Sequence, residues 1–430
     1  PTIMCALFWP VMRKIIRICK TQRINSIADL VSTRYGKNFS IAVVVTLCCA
    51  IGIIPYIAIQ LKAISASFDM LAPGNSGGSY NIWNDSTLYI TILLTIFIIF
   101  FGTRSVDASE KHEGLVAAIA FESVIKLVAF IAAGIFITFG IFDGPTEIFR
   151  LATKNEGLRN AFVLNGDSPY TSWISMIFLS MMAIIFLPRQ FQVNVVENLR
   201  ENHLNKAAWF FPLYLFAINI FVLPIALGGA LLDPSHTMDA DMYVLGLPLS
   251  QGREWLSLFI FIGGFSAATG MIIVETLALT TMISNNLALP ILFSSSSIQE
   301  RRDGSPQTII LWVRRFSIVL VLTLALLYDE LIARQFSLVS IGLVSFAAVA
   351  QLAPAVLGGI YWKGASRNGA VGGLIIGFLI WLFTLVLPSL ESAGLINDTI
   401  STQGLFHQYW LRPNALFGLD SLDPVSHSLF

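Results

Sequence analysis

The chain predicts an all-α integral membrane bundle with about ten spans. Three observations carry that prediction. Hydrophobic residues make up 55% of the 430 residues and charged residues 12%, with a mean hydropathy of +0.74. A soluble chain carries about twice that charged fraction. The apolar residues fall in blocks of about 20, the length that crosses a bilayer core as a helix. Lys and Arg collect on alternate connections between those blocks, as cytoplasmic loops do. The formal net charge is +0, so there is no basic footprint for nucleic acid.

Taken in order, the first span (2–20) is apolar at its start and runs into Arg13, Lys14, Arg17 and Lys20. The segment 24–38 reads as a short interfacial helix, with Ser26 and Asp29 as its N-terminal cap and Gly36 as its stop. The second span (39–64) carries Pro55, Tyr56, Gln60 and Lys62; Lys62 can snorkel outward without any further role. The third (86–102) is free of charge, and the fourth (114–142) holds Glu122 and Lys126 at i, i+4. The fifth (171–190) ends in FLPRQFQ, where Pro188 can break the helix. The sixth (207–232) is uncharged, and the seventh (255–283) contains Glu275 far from its ends. The eighth to tenth lie at 308–328, 336–361 and 368–388.

Arg23, Arg34, Lys37, Arg104, Lys111, Arg189, Arg200, Lys206, Arg301, Arg302, Arg314, Arg315, Lys363 and Arg367 share the side of the first basic cluster. The opposite side has only Arg150, Lys154, Arg159, Arg253, Arg334 and Arg412. The basic side is expected to be cytoplasmic, in a bacterial inner (plasma) membrane. The loops 65–85, 143–170 and 233–254 are then polar outer loops. Asn84-Asp85-Ser86 fits a glycosylation sequon that a bacterial chain ignores. Residues 1–390 form the transmembrane domain, and 391–430 an outer loop and the start of a further helix. The chain opens on Pro1 rather than Met and stops at Phe430 as an apolar run begins, so it is expected to be a fragment.

Cys5, Cys19, Cys48 and Cys49 lie in or beside spans without metal-ligand spacing, and no disulfide is expected. The histidines His112, His203, His236, His407 and His427 fall in loops or ends and form no triad or metal pattern. No nucleotide loop, hydrolase elbow or zinc motif is present, so this chain is not expected to be an enzyme or to hold a cofactor.

The stretch 351–377, QLAPAVLGGIYWKGASRNGAVGGLIIG, ends one span, turns on Lys363 and Arg367, and begins another. Pro354 is tolerated in a membrane helix. Gly364, Gly369, Gly372, Gly373 and Gly377 are expected to let two helices approach closely. This pattern resembles the end of the core in sodium:solute symporters. The resemblance covers nearly the whole chain. It implies a leucine-transporter-like inverted-repeat bundle whose first visible span is core helix 2, with core helix 1 missing. Such folds bind solute and ion between discontinuous helices 1 and 6.

In that frame GGFSAATGMIIVETLALTTMISNNLALP, residues 263–290, is core helix 8. The family's two sodium-binding hydroxyls align with Gly270 and Met271, which offer none, while Ala267 keeps a carbonyl and Thr269 is one position off. The departure weakens sodium coupling and opens the way to protons. The family's acidic residue of core helix 5 aligns with Ser123, beside Glu122. Either Glu122 and Lys126 form a plain ion pair on one helix face, or the Lys126 ammonium fills the sodium space, neutralised by Glu122 or Glu275. Gln190 aligns with a recurrent family Gln. Arg189 reads most simply as a positive-inside anchor. Tyr56, Gln60, Ser345 and Gln351 are candidate solute contacts.

The resemblance implies an ion-coupled carrier of a small polar solute, an amino acid or carboxylate, working by alternating access. The Pro-Arg-Gln-Phe run, the Ser-Asn-Asn-Leu run and the final FGLDSLDPVSHSLF also resemble the transporter-like domain fused to sensor histidine kinases. The alternative is therefore a sensory input domain, with a C-terminal kinase and a response regulator as partners.

Overall fold

A computed structural model of the chain describes residues 1–72, 85–102, 113–163, 169–235, 237–294, 306–419 and 422–429. Arg104, Lys111, His112, His236, Arg301, Arg302, Phe430 and the sequon Asn84 lie outside the described residues. Helices dominate, and one two-stranded ribbon pairs Leu411–Arg412 with Ala415–Leu416.

The expected first span is instead two helices, α1 (Thr2–Leu7) and α2 (Trp9–Gln22), parted at Phe8. Pro10 has no N–H for the preceding turn, so the helix restarts there. Helix α2 buries Met12, Ile15, Ile16 and Cys19 on one face and carries its basic residues on the other. That is an amphipathic pattern rather than a lipid-embedded one. The interfacial helix forms as α3 (Ile27–Arg34), with the Ser26 hydroxyl accepting from the Asp29 amide at 3.1 Å and Gly36 at φ +81° beyond its end.

Helix α4 (Phe39–Leu71) is the central post, buried along much of its length around Pro55. After it come α5 (Ser86–Gly102) and α6 (Glu113–Ile135), the latter continued by a π-turn at Phe136–Ile141. The outer segment that follows holds two short helices, α7 (Pro145–Lys154) and α8 (Glu156–Arg159). Helix α9 (Pro169–Phe186) and α10 (Pro188–Phe191, with a π-turn at Gln192–Val196) form one span bent by 52°. Then come α11 (His203–Asn219) and α12 (Val222–Leu232).

The expected polar loop 233–254 contains a helix, α13 (Tyr243–Ser250), whose Leu245, Gly246, Leu247 and Pro248 are buried. It packs on α14 (Glu254–Ile283), which continues through a π-turn at Ser284–Ala288 into α15 (Leu289–Ser294). Its apolar core sits between short polar flanks, which hid it inside a polar average. The remaining spans are α16 (Pro306–Leu331), α17 (Leu338–Ala350) with α18 (Ala353–Tyr361), and α19 (Arg367–Trp381) with a π-turn at Leu382–Val386 and α20 (Leu387–Ser392). Among the described residues seven helices are long and apolar enough to cross a membrane, and the bent α9–α10 pair adds an eighth. The chain is an integral membrane protein.

Only part of the expected close packing between α18 and α19 is present. A Cβ added at Gly358, Gly372 or Gly373 would meet nothing, and the two helices leave a cavity of about 310 Å³ beside Pro354, Gly369 and Trp362. Gly359 and Gly377 do serve close approach, one against Arg34 and Tyr35 and the other against the Gln351 side chain. The seam between α4 and α17 is also close, and there a Cβ on Gly52 would lie 2.5 Å from that of Ala348. Helix α21 (Thr399–Gln403) and the last helix, α22 (Pro424–Leu429), follow. Ser426, His427 and Ser428 of α22 are buried, and α22 packs on α9, α17 and α19.

Candidate functional site

The site is built around the break in the fifth span. Leu187 is extended (φ −60°, ψ 127°), and Pro188 starts a new helix because it needs no donor in the first turn. Arg189 follows at once and is carried inward. Its guanidinium donates to the Tyr56 hydroxyl at 3.3 Å and lies 5.8 Å from the centre of the Tyr56 ring. The reading of Arg189 as an anchor at the basic surface is therefore corrected. The proline break turns it out of the positive-inside register and into the bundle.

Three further charges stand within electrostatic reach of Arg189: Glu275, Glu122 and Lys126. The cluster holds two acids and two bases and is formally neutral, the arrangement that limits the cost of charge inside a membrane. Glu275 is fully buried in α14. Arg189 is its counter-charge.

Helices α14 and α6 run antiparallel along a seam of small residues. Gly263 meets Ala129 and the Lys126 backbone, and Gly270, two turns on, meets the Glu122 carboxylate. The space opened by Gly270 is thus taken by Glu122 and not by the Lys126 ammonium. The antiparallel register sets Lys126 one turn away, opposite Gly263. Glu122 and Lys126 are not among the ion pairs of the described residues, so the plain i, i+4 salt bridge is also corrected; their charges act at longer range.

Met271 presents its thioether to the Tyr56 hydroxyl at 3.9 Å. Ala267 is buried on the α6 side, and the Thr269 hydroxyl is spent on the Ser266 carbonyl at 2.9 Å. Ser123 likewise donates back to the Ile119 carbonyl at 2.8 Å, while its own carbonyl accepts from Tyr214 at 3.1 Å. Each hydroxyl uses its proton in these bonds and keeps its lone pairs.

Of the expected solute contacts, Tyr56 lies in the cluster. Gln60 lies one turn further along the same face of α4, half-buried. Gln190 is half-buried beside Arg189. Ser345 is buried with an unpartnered hydroxyl, next to Phe346, whose ring lies 5.9 Å from that of Tyr56. Gln351 is elsewhere. Its amide donates to the Ser428 carbonyl at 2.8 Å and ties α17 to α22. It sits where α17 gives way to α18 and also donates to the Ala347 carbonyl at 3.4 Å. Lys62 has a structural duty, donating to the carbonyls of Ala333 (2.9 Å) and Phe336 (2.6 Å). Sequence reasoning missed Phe346, and it missed Arg189 as a core group. Pro188 immediately before an Arg was the available signal.

No family model matches the chain. An uncharacterized symporter of Bacillus subtilis (strain 168), YodF, is 19% identical over 418 residues, covering 96% of this chain and 75% of the relative. A solved structure, the substrate-bound outward-open state of a Na+-coupled sialic acid symporter with a novel Na+ site, matches with a TM-score of 0.62 and 13% identity. It covers 92% of this chain and 82% of that one. The fold matches that of the solved symporter structure. The bent α9–α10 span and the cluster at its break therefore sit in a transporter-type helical bundle.

Proposed function

We propose that this chain is a secondary active transporter that moves a small polar solute, an amino acid or carboxylate, by ion-coupled alternating access. The observation that supports this reading is the neutral cluster of Arg189, Glu275, Glu122 and Lys126 at a broken helix deep in the bundle. Arg189 and Tyr56 offer a cation and a hydroxyl to a solute carboxylate, a charge-assisted pair. Gln60, Gln190 and Ser345 supply polar contacts around it. Glu275 balances the Arg189 charge when no solute is bound, so an arriving carboxylate exchanges with a charge already in the site. Rocking of one helix group against the other would then switch which side the break faces.

Sodium and protons are the two candidate coupling ions. The sodium-coupled neighbour supports sodium. The missing hydroxyls at Gly270 and Met271, and the acid–base pair Glu122 and Lys126 beside them, favour protons. Both matched proteins are described as symporters, which favours the carrier over a kinase-linked sensor. The test is uptake by the full-length protein in proteoliposomes, under imposed sodium and proton gradients in turn, with a panel of amino acids and short carboxylates. Accumulation under either gradient, lost in Arg189→Gln, is the expected result. Solute binding without accumulation under both gradients would overturn the carrier reading.

A further inference from the structure

Below Glu275, helix α14 carries a second polar feature. Thr276, Thr280 and Ser284 follow at i, i+4 and i+8, so they share one face of the helix. Each is at most 1% exposed, and each hydroxyl lacks a hydrogen-bond partner. That is unusual, because a hydroxyl in a membrane helix commonly donates back to the preceding turn. Thr281 of the same helix does so, to the Leu277 carbonyl at 2.9 Å. Orphaned buried hydroxyls in hydrocarbon surroundings are costly, and a row of them calls for an explanation.

The row has two ends. At its upper end is Glu275; Arg189, Tyr56 and Cys49 are the charged and titratable groups within its reach. At its lower end the π-turn Ser284–Ala288 swings Asn286 onto α4, where its amide donates to the Thr46 hydroxyl at 3.3 Å. The Asp29 carboxylate of α3 lies within electrostatic reach of Asn286, and the Asp29 amide donates to the N-cap Ser26 hydroxyl at 3.1 Å. Asp29 lies on the basic side of the domain, between Arg23 and Arg34. Polar side chains thus recur along α14 from the charge cluster towards the basic face.

Spacing decides what such a row can do. Residues four apart on a helix lie about 6 Å apart along its axis. One water bonded to two hydroxyls spans nearly the same distance, at roughly 2.8 Å per bond. A hydroxyl both donates and accepts, so a hydroxyl–water file can pass a proton along without any member keeping it. We propose that Thr276, Thr280, Ser284 and Asn286 form a hydrated file that carries protons between Glu275 and the basic-side surface at Asp29. For each proton accepted by Glu275, one leaves the water at Asp29; no bond other than O–H is made or broken. The inference rests on the carrier reading only for its purpose, since the file is defined by its hydration.

Two measurements test it. In full-length protein whose native cysteines are replaced, single cysteines at Thr280 and Ser284 are exposed to a small cationic thiol reagent from the basic side. Labelling at least tenfold faster than that of Thr281→Cys is expected. In parallel, Thr280→Val removes the hydroxyl with little change in shape. A wet file predicts a lowered or unchanged melting temperature and proton uptake slowed at least tenfold, with Thr281→Val as the control. Equal labelling at all three positions, or a Thr280→Val protein with a higher melting temperature and undiminished proton uptake, would overturn the file. Because labelling needs no transport, a wet file in a protein that moves no solute would sink the carrier reading alone.

Discussion

The Glu122 carboxylate fills the notch that Gly270 leaves on the facing helix. A side chain at 270 would compete for that space, so the missing hydroxyl and the carboxylate are one feature seen from two helices. Gly270→Ala should destabilise the protein by about 1–3 kcal/mol through overpacking. Shortening the partner in Gly270→Ala/Glu122→Ala should recover most of that loss. Thermal unfolding of detergent-purified protein measures both. Additive losses in the double variant would mean that the two side chains are not in contact.

Arg189 is the counter-charge of a buried Glu275, so removing it alone leaves that carboxylate uncompensated. Arg189→Gln should cost about 3–5 kcal/mol of stability if Glu275 stays ionised. Arg189→Gln/Glu275→Gln should regain much of it while uptake stays abolished. Melting temperature and uptake on the same preparations separate the two roles.

Gln351 serves the junction with α22 through its bond to the Ser428 carbonyl. Gln351→Ala should lower stability by about 0.5–1.5 kcal/mol, the worth of one such bond. The KM for solute should remain within twofold of wild type. A tenfold rise in KM at unchanged stability would return Gln351 to the solute site.

Burial raises the Asp29 carboxyl above its ordinary range, against the opposing bonds from Ser26 and Asn286. The folded state therefore prefers the protonated acid. The cost of the charge is fully present above the folded pKa and is relieved as pH falls through it toward the unfolded value. Asp29→Asn should melt higher than wild type at neutral pH, and the difference should shrink to nothing on acidification through that window. A gap that is constant with pH would mean that Asp29 is not the titrating group.

Much of the architecture was legible along the chain. The apolar blocks, the break at Pro188 and the Ser26 cap are local properties, set by hydropathy, a missing donor and a side-chain oxygen. The failures share one cause. Residues 2–20 read as apolar on average, yet Pro10 and the basic face of α2 split them into two short helices. The buried helix α13 was hidden by its polar flanks. Averages along a sequence cannot register which face of a helix a neighbour covers.

The charges show the division most clearly. From the sequence alone came a membrane bundle, Glu122, Lys126 and Glu275 as intramembrane ionisable groups, and Tyr56 as a candidate solute contact. Only the tertiary structure decided that Arg189 joins them, that Glu122 rather than Lys126 meets Gly270, and that Gln351 faces α22. The physical reason is one of range. Hydropathy and helix-breaking act within a turn or two of chain, so they can be read in order. Charge pairing acts through space between segments dozens of residues apart, and it is fixed only once the helix register is.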